Sequence, residues 1–272
     1  ESPFEGTFTL GDADNSKTVM VREGAAAGGA TVSKTSGTWS AAGVTNTRIL
    51  GSMTLVKQDN AAGGLSGTEF TLEARDGASW KKVDTYTTDD AGALAVNDMP
   101  WGDYRITETK ATDGFVPGDN QPSFTFAIGP DTGTQQHLEW NHGVVTNAKT
   151  RISIDKVDNA AVAQRLAGAK LKLTGAFADG SNEKAWESAA DAAETLEGQL
   201  VVGETYTLAE TERLAGYLAL PGPITFAVSA TGTLELKDNP AHADGSRAAA
   251  LSGDALALSV RNVRVLGAAT LL

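Results

Sequence analysis

An internal repeat of about a hundred residues limits this chain more than any other feature. The segment GVTNTRILGSMTLVKQDNAAG from Gly43 reads against VVTNAKTRISIDKVDNAAV from Val144. Further on, GDYRITETKATDGF from Gly102 reads against GETYTLAETERLAGY from Gly203. Short apolar stretches follow each, SFTFAI from Ser123 and PITFAV from Pro223, and TNAK around Asn147 is answered by VRNV around Asn262. The same landmarks in the same order are far better explained by duplication than by chance.

Between the landmarks nearly every segment has the alternation of a strand (TLVKQ, EFTLEA, YRITE, FTFAI, KLKLTG, TYTLAE, ALALSV), and Gly, Asp, Asn and Pro clusters punctuate them. EKAWESAADAAETLEG from Glu183 is the exception, with an Ala-rich half of helix-forming composition. It is expected to hold a strand through Trp186 and then a loop or one or two helical turns before Leu200. The whole reads as an all-β tandem array with its boundary near Lys149–Arg151.

A 272-residue chain is long enough for two domains with cores of their own. Its net charge of −12 disfavours a protein that tracks nucleic-acid phosphates. Cysteine is absent, which removes thiol catalysis and Cys-ligated zinc. It leaves two options: an intracellular protein, or an extracellular one stabilised without disulfides. No apolar run reaches the length of a membrane span and no signal peptide opens the sequence, so an interior or mature piece is expected.

Residues two apart on a half-buried strand share a face. Lys57 therefore lies with Met53 and Leu55, and Lys156 with Ile152 and Ile154. Glu108 lies with Tyr104 and Ile106, and Glu210 with Tyr206 and Leu208. Asn147 shares a face with Val145, and Asn262 with Leu256, Leu258 and Val260. Each repeat thus sends one Lys, one Glu and one Asn inward. Any one of these side chains alone is expected to snorkel, with its stem buried and its head in water. Six matching placements in two copies favour a buried constellation, either as salt bridges or as something more. Burial disfavours both charges, lowering a Lys pKa and raising a Glu pKa. A neutral amine is a nucleophile, and a protonated carboxyl beside an Asn amide can shuttle protons. Attack on the amide carbon would expel ammonia and join the first strand of a repeat to its last.

These residues resemble the Cna-B-type domains, the prealbumin-like sandwiches of Gram-positive pilins and collagen-adhesin stalks. The likeness lies in the Lys strands TLVKQD and SIDKVD, the Y-x-(I/L)-x-E strands with an aromatic-bearing loop after them, and the closing Asn strands. It covers roughly residues 51–266. The family usually has Pro before the Gly-aromatic pair, where this chain has Thr112-Asp113 and Leu214-Ala215. The resemblance implies tandem immunoglobulin-like or prealbumin-like β-sandwiches at 51–149 and 150–266. Residues 1–50 would be the closing part of a preceding sandwich, and 267–272 would start a following strand. It implies Lys57–Asn147 and Lys156–Asn262 isopeptide bonds formed autocatalytically with the help of Glu108 and Glu210, without cofactor or metal.

The expected role is structural rather than enzymatic: a pilin or adhesin stalk, extracellular and anchored to the cell wall. Its expected partners are neighbouring pilin subunits or, through sortase, peptidoglycan. The alternatives are a tip adhesin for host matrix protein or glycan, and accessory sandwiches of a secreted enzyme.

Weaker signals complete the reading. His137, His142 and His242 read as solvated loop residues, and most of the five tryptophans as core. GDADNSK from Gly11 has the look of a calcium loop without its later Gly and Glu. LPGP from Leu220 reads as a turn. Asn46 occupies the closing-Asn position of the first, partial unit, and it is expected to have no Lys bond within the chain, Lys17 and Lys34 being the only candidates.

Overall fold

The computed structural model describes residues 4–9, 16–21, 31–35, 38–42, 50–118, 122–130 and 136–265. Contacts divide the chain into two compact units. One comprises 1–53, 96–103 and 127–140; the other comprises 54–95, 104–126 and 141–272. In the first unit, Phe4–Thr9 pairs antiparallel with Ser16–Val21, and Thr31–Thr35 with Thr38–Ala42. Asn46, the possible calcium loop at 11–15 and the tail at 267–272 lie outside the described residues.

Two pairs of sheets follow, and none mixes strands from the two sides of Thr150. In the first repeat a four-stranded sheet runs Phe115–Val116, Glu139–Lys149, Gly51–Asp59, Ala93–Met99. Its five-stranded partner runs Gln136–His137, Ser123–Pro130, Gly102–Lys110, Glu69–Asp76, Ser79–Thr87. In the second repeat the four-stranded order is Glu194–Glu197, Arg151–Asp158, Ala257–Asn262, Ala249–Ser252. The five-stranded order there is Glu183–Glu187, Lys170–Thr174, Thr205–Glu212, Ile224–Val228, Leu234–Asp238. Both repeats place the Lys strand beside the Asn strand in the smaller sheet and the Glu strand in the larger one.

The alternation read from the sequence is the burial observed. Met53, Leu55 and Lys57 are buried along one face of their strand, as are Ile152, Ile154 and Lys156 along theirs. The second core gathers Ile152, Ile154, Leu171, Leu173, Tyr206, Leu208, Phe226, Leu258 and Val260. Tyr206 sits within it, stacked on Phe226 and edge-on to Phe177, with its hydroxyl donating to Ala176 O at 2.5 Å. That bond satisfies the one polar atom which burial of a tyrosine would otherwise strand.

Several expectations need correction. The described residues contain no α-helix. After the strand Glu183–Glu187 the Ala-rich stretch is a loop, as one of the two expectations had it, but Glu194–Glu197 is an unforeseen second strand pairing with Arg151–Ile154 in the opposite sheet. Helix propensity yields there because the chain must cross from one sheet to the other in six residues, 188–193. Leu256 is 42% exposed, since its strand begins one residue later, after a turn in which Asp254 and Ala255 take positive φ.

His142 and His242 are not solvated loop residues. His137 and His142 lie in strands, and His142 is tilted against Phe124. His242 is buried in its turn with Nε2 on Arg261 O at 3.0 Å. Nor do the described tryptophans fill the core. Trp101 is exposed, Trp80 lies under Arg75 and Arg105, and Trp186 packs only partly against the second core.

Candidate functional site: two buried Lys–Glu–Asn constellations

Backbone pairing fixes where the two lysines point. Lys57 N donates to Gly92 O at 2.7 Å and Lys57 O accepts from Leu65 N at 2.9 Å, while Lys156 O accepts from Leu166 N at 2.8 Å. In the second repeat the Lys and Asn strands run parallel, with Lys156 opposite Val260 and Asp158 opposite Asn262. Asn262 is therefore two residues beyond the partner of Lys156, on the same face and within side-chain reach. Glu210 approaches from the facing sheet.

In the first repeat Lys57 and Glu108 are fully buried and Asn147 is 1% exposed. Asn147 Nδ2 donates to Glu108 Oε1 at 2.6 Å. Glu108 Oε2 lies 3.7 Å from Lys57 Nζ and has no hydrogen-bond partner among the described residues. Lys57 Nζ donates to Val145 O at 3.3 Å, and the backbone N–H of Gly118 donates to Asn147 Oδ1 at 2.8 Å. Burial pushes the Lys57 pKa down against the attraction of Glu108. Burial also pushes the Glu108 pKa up, against the Asn147 hydrogen bond and the Lys57 charge. Both shifts favour a neutral amine beside a neutral acid.

In the second repeat Lys156 Nζ donates to Asn262 Oδ1 at 2.5 Å. Glu210 Oε1 lies 3.3 Å from Lys156 Nζ and accepts from Asn262 Nδ2 at 2.9 Å. Its other oxygen, Oε2, accepts from the backbone N–H of Leu220 at 3.0 Å. Burial lowers the Lys156 pKa to about 8, with Glu210 opposing the shift. All six residues singled out in the sequence thus meet as two separate triads.

Residues 51–143 and 150–240 each match the family described as SpaA, prealbumin-like fold domain. The chain belongs to this family. Among solved structures it is similar to a streptococcal ancillary pilin, at 20% identity and a TM-score of 0.40, covering 81% of this chain and 64% of that one. It is also similar to a C-terminal fragment of the pilus adhesin SpaC from Lactobacillus rhamnosus GG, at 17% identity and a TM-score of 0.43, covering 81% of this chain and 100% of that one. The shaft pilin SpaA of the same organism matches at 15% identity and a TM-score of 0.33, covering 80% of this chain and 99% of that one. No curated protein matches.

Three features of these SpaA domains escaped the sequence reading. Two are the backbone donors of Gly118 and Leu220, each ten residues after its glutamate. The LPGP turn is thus also a carboxylate clamp. The third is Asp158, 1% exposed, which receives the Tyr217 hydroxyl at 2.9 Å and the Arg264 guanidinium. Burial alone would raise its pKa, but the Ala160 N–H, Tyr217 and Arg264 together hold it below the ordinary value.

Proposed function

We propose that this chain is a structural segment of a Gram-positive surface protein, a pilin or adhesin stalk whose two sandwiches are each locked by a Lys–Asn isopeptide bond. The supporting observation is the triad itself: two strands of one sheet deliver an amine and an amide side by side, and the facing sheet delivers the carboxyl between them. A salt bridge would need no asparagine at this position.

The chemistry balances within each triad. The Lys Nζ lone pair attacks the Asn side-chain carbonyl carbon, and a C–N bond forms. The carboxylic acid gives its proton to Nδ2, the C–Nδ2 bond breaks, and ammonia leaves. The carboxylate then takes the proton shed by Nζ, which restores the acid. Folding has already removed the entropy of bringing the groups together.

Each bond closes a loop of about a hundred residues, which by analogy with disulfides contributes about 4–5 kcal/mol. It also changes how force travels. Tension entering at Arg151 and leaving beyond Asn262 would pass through Lys156 and the cross-link, bypassing the rest of the sandwich. Resistance to force and protease without cysteine suits an extracellular, cell-wall-anchored fibre. Its partners would be neighbouring pilin subunits or, through sortase, peptidoglycan.

Intact mass under denaturing conditions tests this. The chain is expected to be lighter than its sequence by two ammonia molecules, and peptide mapping should join Lys57 to Asn147 and Lys156 to Asn262. Glu108→Ala and Glu210→Ala are each expected to restore one ammonia in their own repeat. A mass equal to that of the sequence would remove both bonds, and normal bonding in the Glu variants would remove the proposed shuttle.

A further inference from the structure

The two repeats differ in what touches the amide oxygen that would carry charge during the reaction. We propose that the backbone N–H of Gly118 is the oxyanion donor for the Lys57–Asn147 reaction. This role presupposes that Lys57 and Asn147 react as described under Proposed function.

The donor stands 2.8 Å from Asn147 Oδ1. As the amine adds to the carbonyl carbon, that oxygen gains negative charge, so a hydrogen bond already in place strengthens when it is most needed. The same bond fixes which end of the amide faces which way. With Oδ1 held by Gly118, a flipped amide would set the Nδ2 donors against the Gly118 N–H. The nitrogen that must leave is therefore kept against Glu108 Oε1, the atom placed to protonate it.

Local pairing brings the donor there. Phe115 pairs with Lys149 and Val116 with Ala148, so the chain runs antiparallel along the Asn strand and next passes Asn147. Pro117 has no N–H to compete for the oxygen. Glycine is needed at the next position because of space. A Cβ on Gly118 would lie 2.7 Å from Thr146 O, the backbone immediately before the reacting asparagine. Any side chain there must push the loop away from the amide or shift the asparagine itself.

The second repeat supplies the contrast. Its equivalent donor, Leu220 N–H, is spent on Glu210 Oε2, and Asn262 Oδ1 faces the Lys156 amine instead. Loss of the loop donor should therefore affect the first bond specifically.

The test uses the full chain made by cell-free synthesis, quenched in denaturant at intervals and followed by intact mass and peptide mapping. Gly118→Pro deletes the N–H, and Gly118→Ala crowds it. In Gly118→Pro the Lys57–Asn147 bond is expected to form about 10²-fold more slowly, and in Gly118→Ala more slowly than in the unsubstituted chain. Lys156–Asn262 should form at its normal rate in the same molecules. To separate chemistry from folding, both substitutions are also placed in a Lys57→Ala background, where no first bond can form. There each is expected to keep the repeat folded and to lower its melting temperature by no more than the loss of one buried hydrogen bond. Unchanged rates in Gly118→Pro would overturn the role, as would an unfolded first repeat in the Lys57→Ala background. An unsubstituted chain that never loses the first ammonia would instead overturn the cross-linking reading, and the Gly118 role with it.

Discussion

In the first repeat one carboxyl serves the two nitrogens with its two oxygens, Glu108 Oε1 on Asn147 Nδ2 and Oε2 toward Lys57 Nζ. In the second repeat a single oxygen, Glu210 Oε1, faces both nitrogens because Leu220 N–H occupies the other. The lysines differ as well. Lys57 donates to a backbone carbonyl, Val145 O, whereas Lys156 donates to the asparagine it would attack. Duplication preserved the three side chains and the loop donor but not the pairing among them. The three side-chain types at their positions are thus the constant, and the hydrogen bonds around them can permute with small shifts of the loop.

The sharpest way to break this equivalence is to remove each asparagine. Asn147→Ala and Asn262→Ala would each abolish the proposed bond, which closes a loop of about a hundred residues, so each is expected to lose about 4–5 kcal/mol. The loss should be greater in the first repeat. There the Gly118 N–H loses its acceptor, whereas in the second repeat the Leu220 N–H keeps Glu210 Oε2. The unmade hydrogen bond adds to the lost cross-link. Denaturant unfolding of the two variants checks the order. Equal or reversed losses would mean that the differing hydrogen bonds carry no energetic weight.

Much of both sites was legible in the sequence, because a period of two places Lys57 and Lys156 on faces made by Met53, Leu55, Ile152 and Ile154. A charged residue on such a face is a visible conflict, and its repetition makes it a signal. The backbone donors leave no such mark. Leu220 gives no hint that its N–H clamps a carboxylate, and Gly118 reads like any other loop glycine; Gly64, Gly92 and Gly114 also have a backbone carbonyl oxygen against the place of a Cβ. Asp158 was equally hidden, since an Asp after a strand reads as a turn former, and its Oδ1 does accept from Ala160 N at 2.8 Å. Its second role depends on Tyr217 and Arg264, brought in from distant parts of the sequence. The Ala-rich stretch after Trp186 left loop and helical turns open, and the strand Glu194–Glu197 went unseen, because local propensity is weak beside the need to supply Leu196 to the second core.

A smaller effect concerns pH. In Asn262→Ala, Lys156 stays a free amine whose folded pKa of about 8 lies below the 10.5 of an exposed lysine. Between those values the unfolded chain holds a proton that the folded chain has released. Raising the pH through this window therefore favours the folded state, by up to about 3 kcal/mol in total. Below pH 8 both states are protonated and the penalty of burying the charge is fully present. The unsubstituted chain should lack this slope once the proposed bond has turned that nitrogen into an amide. Urea midpoints for variant and parent at pH 7, 9 and 10.5 give the difference, and parallel profiles would place Lys156 outside this explanation.

The smallest expected effect removes a feature that only the second repeat has. Tyr217 and Phe115 occupy matching positions, Tyr217 pairing with Arg264 just beyond its closing strand and Phe115 with Lys149 at the end of its own. The Tyr217 hydroxyl donates to Asp158 Oδ2 at 2.9 Å, and Asp158 lies opposite Asn262 in the parallel ladder. Tyr217→Phe deletes the hydrogen bond to a buried carboxylate and the weaker one accepted from Arg264 Nε at 3.2 Å, but leaves Asp158 its Ala160 and Arg264 contacts, so about 1.5 kcal/mol should be lost. The substitution makes the second repeat like the first at this position without touching the triad. The Lys156–Asn262 bond should therefore still form in full, as read by intact mass, while the unfolding midpoint falls. A loss of bond formation in Tyr217→Phe would show that the Asp158 cluster sets the register of the asparagine strand, and is more than a fastening at its end.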